Sequence, residues 1–120
     1  MATRELQVSV RQRDGAAVID LVGDVDASGD ATLQRAYEEA SRESSSIVLN
    51  FSRTDYINST GIALIVGVLA QARSRAIHIA ACGLSDHYRE IFEITRLADF
   101  MTIADDEDRA VRGPEGSNHA

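Results

Sequence analysis

Between Ser46 and Arg75 the chain carries a strand-length apolar run, a short polar turn and a second apolar run at helical spacing. The hydrophobic period changes across the turn, so the backbone has to pass from strand to helix there. Ile47, Val48, Leu49 and Phe51, interrupted only by Asn50, form a β-branched-rich run that suits a central strand covered on both faces. After the turn, Ile62, Ile65, Val66 and Leu69 recur at i, i+3, i+4 and i+7, and Gln71, Arg73 and Arg75 arrive only at the far end. That spacing predicts a buried helix with a polar exit. Asn58, Ser59 and Thr60 fall where this helix begins, and their side-chain oxygens are suited to accept from the unpaired N–H groups of its first turn. Capping alone accounts for these three residue types. The sharper alternative is that Ser59 presents its hydroxyl in front of oriented N–H groups, a position that tolerates an attached phosphate. Corners of this kind, at the carboxyl ends of strands in open α/β sheets, are where ligands and partners are usually met.

The rest of the chain supplies the neighbours of that corner. Leu6, Val8 and Val10 alternate with Gln7, Ser9 and Arg11, which predicts a strand with one wet face at a sheet edge. Asp14-Gly15 turns it into Ala16 to Val22, the second arm of an antiparallel hairpin that ends at Gly23. Asp24, Asp26 and Asp30 then crowd one loop and the start of a helix marked by Leu33, Ala36, Tyr37 and Ala40. Past the corner, Ala76 to Ala81 reads as a short strand. Ser85 or Asp86 caps a helix with Tyr88, Ile91, Phe92 and Leu97 on its apolar stripe, and Phe100, Met101 and Ile103 suggest a last strand. Asp105 to Asp108 open a brief terminal helix or are simply solvated. The domain is expected to span residues 1–112, with 113–120 a flexible C-terminal tail. Strands alternating with helices predict an α/β fold with a mixed, mostly parallel sheet of four to five strands, the first strand antiparallel.

Composition narrows the chemistry. A formal net charge of -7 over 120 residues opposes attraction to nucleic acid or to anionic lipid. The uncharged run that ends at Ala72 falls short of the ~20 residues of a membrane span, and Met1 to Glu5 lacks the apolar core of a signal peptide, so a cytoplasmic protein is expected. The lone Cys82 follows an apolar run and reads as a small core residue. Asp24, Asp26 and Asp30 lack the spacing of a calcium loop, and no zinc spacing exists, so no metal is expected. No phosphate-cradling glycine loop occurs, and no cofactor is expected. Ile57-Asn58-Ser59-Thr60-Gly61 is not a nucleophile elbow, and His78 and His87 are the only folded candidates for a base. Chemistry done to this chain is therefore a better reading than chemistry done by it.

Four stretches together resemble the STAS domain family, and within it the single-domain bacterial anti-sigma factor antagonists. Gly23-Asp24-Val25-Asp26 is similar to the family's acidic loop, and Ile47-Val48-Leu49-Asn50-Phe51 to its central strand. Asn58-Ser59-Thr60-Gly61-Ile62 resembles its Asp-Ser-Ser/Thr-Gly-Leu signature, and Leu84-Ser85 through Ile91-Phe92 and Leu97 the following helix. The resemblance implies a phosphorylation-controlled binding module. Unmodified, it would bind an anti-sigma factor that is also an ATP-using serine kinase, and so release a sigma factor. Phosphorylation of Ser59 would end the binding and a phosphatase would restore it. Asp24, Asp26, Asn58, Ser59, Thr60 and Gly61 would form the partner-binding surface, with Thr60 turned into the first helical turn. Gly61 would lie beside the partner, so that a larger residue there harms binding and spares the fold. Asn58 stands where the family has Asp, keeping the shape and dropping a charge. An unmodified scaffold, or an accessory subunit of a transporter or signalling complex, is the alternative implied role.

Overall fold

The computed structural model describes the backbone of residues 4–117 and the side chains of residues 4–112. The elements are β1 (Gln7–Arg13), β2 (Ala16–Val25), a 3₁₀ turn (Ala27–Gly29), α1 (Asp30–Glu43), β3 (Ser46–Ile57) and α2 (Ser59–Ser74). Then come β4 (His78–Cys82), α3 (Asp86–Ile94), a second 3₁₀ turn (Leu97–Asp99), β5 (Thr102–Ile103) and α4 (Glu107–Ser117). They build one five-stranded sheet in the order β1-β2-β3-β4-β5. β1 is antiparallel to β2 and every other pair is parallel, the mixed sheet that the sequence predicts.

The hairpin follows from its turn. Asp14 and Gly15 both take positive φ, 50° and 88°, which twists the two arms together in the sense that strands prefer. From β2 onward each strand is added on the same side of the last. Right-handed crossovers therefore send every connecting helix to one face. That face holds the main core: Leu33, Ala36, Tyr37 and Ala40 of α1, Ile65, Val68, Leu69 and Ala72 of α2 and Phe92 of α3 lie against Ile19, Leu21, Ile47, Leu49, Phe51 and Ile79. Burying each large aliphatic side chain contributes about 1.5–3 kcal/mol, so packing outweighs any single helix cap at about 1 kcal/mol.

The opposite face is smaller and is covered by α4 alone, with Ala110 set against Ala16, Val18, Val48, Ala80 and Cys82. Burial pushes the Cys82 thiol up to about 11, so it stays protonated and packs as a small apolar group. Charge holds α4 in place. Arg11 on β1 bridges Asp20 of β2 (2.6 Å) and Glu107 of α4 (2.6 Å), and Arg13 binds Glu107 (2.7 Å) and Asp108. The Asn50 side-chain amide also donates a hydrogen bond to the Asp20 carboxylate at 2.9 Å. The Arg11 hydrogen bonds hold the carboxyls of both Asp20 and Glu107 below the usual carboxylate range, against the opposing pull of burial.

Several features differ from the sequence reading: β4 begins at His78, Leu97 lies in the 3₁₀ turn beyond α3, and β5 is confined to Thr102–Ile103. β2 continues past Gly23 to Val25, because β3 is long enough to pair with it through two register shifts. The apolar α2 is not buried all round: Val66 is 45% exposed, and the covered side runs through Gly61, Ile65, Val68, Leu69 and Ala72. The backbone of 113–117, within the span expected as a tail, continues α4 through Gly113 and Pro114. Residues 118–120 of that expectation lie outside the described residues.

Because Asp20 and Glu107 have lowered folded pKa values, their contribution is present above the ordinary carboxylate range near pH 4 and is lost as pH falls through the folded values. Arg11→Ala should cost about 1 kcal/mol at neutral pH, the scale of a partly exposed ion-pair network. It should also flatten the acid limb of stability. Melting temperature against pH for both proteins checks this, and an unchanged acid limb in the variant contradicts the assignment.

Candidate functional site

The carboxyl ends of β2 and β3 place two loops side by side. Val25 pairs with Ile57, and the Asn58 N–H reaches back to the Val25 carbonyl at 3.2 Å. β3 projects beyond β4, which pairs with it only as far as Asn50. The projecting end is steadied from α3, where the Tyr88 hydroxyl accepts the Ile57 N–H at 3.0 Å. The residue before the corner is thus held from both neighbouring elements.

Asn58 has extended backbone and caps α2: its Oδ1 accepts the Gly61 N–H (2.8 Å) and the Thr60 hydroxyl (2.8 Å). The Ile62 N–H goes to the Asn58 carbonyl at 2.9 Å. The first amides of a helix have no partner inside it, so those of Ser59 and Thr60 remain directed out of the N-terminus. Ser59 and Thr60 are both exposed. Their hydroxyls differ: Thr60 is held by Asn58, and Ser59 Oγ has no hydrogen-bond partner among the described residues. Among the described residues no neighbouring base activates Ser59 as a nucleophile. His78 begins β4, opposite Ser46 at the other end of β3, and burial lowers its pKa. His87 is exposed and rests its ring against Tyr88.

Of the expected surface residues, Asp26 and Asn58 are half-buried, and Ser59 and Thr60 are exposed, around one corner. Asp24 and Gly61 are not surface groups. Asp24 is 8% exposed, and its carboxylate accepts the Arg4 N–H (3.0 Å) as its own N–H donates to the Arg4 carbonyl (2.9 Å). It secures the segment leading into β1, and Arg4 in turn pairs with Asp55 at 2.6 Å. Asp26 caps the 3₁₀ turn, with Oδ1 accepting from the Ser28 N–H and hydroxyl. Gly61 is buried because α2 begins directly on β2: a Cβ there would stand 2.0 Å from the Val25 carbonyl oxygen. Among the described residues no group of three His, Cys, Asp or Glu is placed to hold a metal, and no helix is long and apolar enough to cross a membrane.

Sequence reasoning overlooked three contributors. Val25 and Tyr88 position the corner through a carbonyl and a hydroxyl that no spacing reveals. The third is the outer side of α2, where Ala63, Val66 and Ala70 continue from Ser59 at helical spacing and are all exposed. The excess of apolar residues in α2 was visible; which of them face outward was not.

A family model described as the STAS domain matches residues 7–110. An anti-sigma-B factor antagonist of Listeria monocytogenes is 28% identical over 96% of this chain and 98% of its own. Among solved structures, an anti-sigma factor antagonist from Mycobacterium paratuberculosis has a TM-score of 0.77 at 16% identity, covering 89% of this chain and 92% of that one. The Bacillus cell fate determinant SpoIIAA in its phosphorylated form gives 0.66 at 22% identity, covering 89% and 97%. At these identities the two structural likenesses speak to the fold.

The Gly61 contact reverses the expectation that a larger residue would spare the fold. Gly61→Ala should destabilise the domain by about 3 kcal/mol or more, because a helix start or a strand end must move to admit the methyl group. Denaturant unfolding of the purified variant measures this; wild-type stability would mean that the corner is looser than described.

Proposed function

The chain belongs to the STAS domain family, and from that premise we propose that it acts in the cytoplasm as an anti-sigma factor antagonist switched by phosphorylation of Ser59. Unmodified, it binds an anti-sigma factor that is also a serine kinase, and a sigma factor is released. The kinase transfers the terminal phosphoryl group of ATP to Ser59 Oγ; the hydroxyl loses its proton and ADP leaves. A phosphatase hydrolyses the ester and restores the binding form.

The observation that carries this reading is the inequality of the two hydroxyls at the corner. Thr60 Oγ1 is tied to the Asn58 cap, and Ser59 Oγ is exposed and unbound beside two outward amides. Asn58 caps through its side-chain oxygen, an atom that Asp also has, so the exchange of Asp for Asn leaves the corner's shape as the switch requires. The bare side of α2 beside Ser59, with Ala63, Val66 and Ala70, offers the partner an apolar surface continuous with the modified residue.

The phosphate acts on the interface and leaves the fold intact. At a helix N-terminus the dianion is favoured, by about 0.3–1 kcal/mol and at most ~2, so α2 has no reason to melt. Against a partner carboxylate or nucleotide phosphate ~5 Å away, each like-charge pair costs ~3 kcal/mol at an effective dielectric of about 20. That is roughly a hundredfold in affinity, and the larger of the two effects.

Incubation with its anti-sigma kinase and ATP should place phosphate on Ser59 alone, and Ser59→Ala should bind the kinase and accept none. Phosphorylated protein should keep its circular dichroism and melting temperature, bind about a hundredfold more weakly, and recover part of that loss at high salt. Phosphate mapped to Thr60, or a large fall in melting temperature, contradicts the mechanism. No phosphate from any cognate kinase would favour the unmodified scaffold.

Val66→Glu separates surface from core. The position is exposed, so stability should change by less than about 0.5 kcal/mol. Affinity for the anti-sigma factor should drop about tenfold or more through burial of an unpaired charge, and unchanged affinity would remove α2 from the interface.

A further inference from the structure

The two edges of the sheet are finished differently. β5 is two residues long and exposes almost no unpaired backbone. β1 offers seven residues in unbroken register with β2, without proline, lysine or bulge. Long regular edges are templates for further pairing, and proteins usually blunt them with free charges or kinks. The arginines of β1 do not serve as such guards. Arg11 is held between Asp20 and Glu107, and Arg13 between Glu107 and Asp108, all on the α4 face.

We propose that a second copy of this chain pairs along the open edge of β1, antiparallel and two-fold about Val10, joining two five-stranded sheets into one. The register follows from the hairpin. A two-residue turn with positive φ at Asp14 and Gly15 closes on a hydrogen-bonded Arg13–Ala16 pair, so Arg13, Arg11, Ser9 and Gln7 bond to β2. Alternation then directs the backbone groups of Gln12, Val10 and Val8 outward. With Val10 opposite its copy, Val8 meets Gln12 of the other chain, and roughly six inter-chain backbone bonds form by the antiparallel pattern. On the α4 face, Arg11 falls opposite Ser9 and Arg13 opposite Gln7. No like charges are set directly against each other.

The α1 face agrees. Val8 and Val10 are half-buried there, on one wall of a groove of about 480 Å³ whose other wall is Thr32, Arg35, Ala36 and Glu39 of α1. Arg35 and Glu39 are exposed and enter no ion pair among the described residues. The two-fold axis runs α1 antiparallel to its copy and reverses the order of these charges, so cation meets anion on both sides. The groove residues belong neither to the Ser59 corner nor to the outer side of α2, so the paired form keeps two free corners.

Sedimentation equilibrium of the full chain should show the mass rising with concentration from 13.0 kDa towards twice that value. Val10→Lys puts two like charges face to face at the self-opposed position and should hold the mass at one chain with unchanged circular dichroism. Gln12→Pro, at an exposed position, removes only an outward amide and should do the same. Oxidation should link Val10→Cys to itself readily, since the paired Cα atoms would lie about 5.5 Å apart, and Val8→Cys much more slowly. Buried Cys82 does not compete. Arg35→Glu and Glu39→Arg should each weaken the dimer and the double exchange should recover it. A single-chain mass at every concentration, a dimer that survives Val10→Lys, or equal cross-linking at Val8 and Val10 overturns the proposal. Association that appears only with an added heterologous protein assigns the edge to that partner and also overturns it.

Discussion

The contact on which the functional end of the molecule depends is the approach of the first turn of α2 to the Val25 carbonyl. The Asn58 N–H bonds to that carbonyl, and Gly61 lies so close that no side chain fits between them. Two chain segments far apart in sequence are therefore fixed to one another by backbone atoms. Where α2 begins, which way its free amides point and where Ser59 Oγ stands all follow. A corner fixed in this manner does not need its partner to order it, so less of the binding energy is lost to immobilisation.

Behind the corner the sheet supplies stiffness unequally. Its main face is closed by three helices and carries most of the buried aliphatic side chains. Its other face is closed by one helix, which rests on small apolar residues and is tied by the ion pairs of Arg11 and Arg13. Ion pairs that remain partly exposed are weak against salt and acid, whereas aliphatic packing is indifferent to both. The α4 side is thus the part of the domain whose attachment responds to solution conditions. The corner, built on the other face, is insulated from it.

Charge and shape have separate roles at the corner. The cap is made by an oxygen that Asn and Asp share, so the helix start does not depend on which is present. The surrounding acids differ in what they do: Asp24 is buried and holds Arg4, Asp26 caps a turn, and Asp55 answers the Arg4 guanidinium. In the proposed switch a phosphate on Ser59 would be tolerated locally because the helix amides face it, and would act outward on whatever docks there.

Much of this was legible in the sequence because periodicity and punctuation are local. Alternation in Leu6 to Arg11, the Asp14-Gly15 turn, the apolar run at Ile47 and the Asn58 cap each follow from a few neighbouring residues, and together they gave the mixed sheet and the location of the corner. The resemblance of Asn58 to Ile62 to a family signature was read in the same local way. Other features depend on what lies across a gap. Gly61 reads as open space until Val25 is brought beside it, Asp24 reads as a surface acid until Arg4 folds back on it, and Val66 reads as core until α2 is laid on the sheet with one side outward. Linear spacing records which residues share a face of their own element. Only tertiary packing decides which face is covered, because that is set by the neighbours that close upon it.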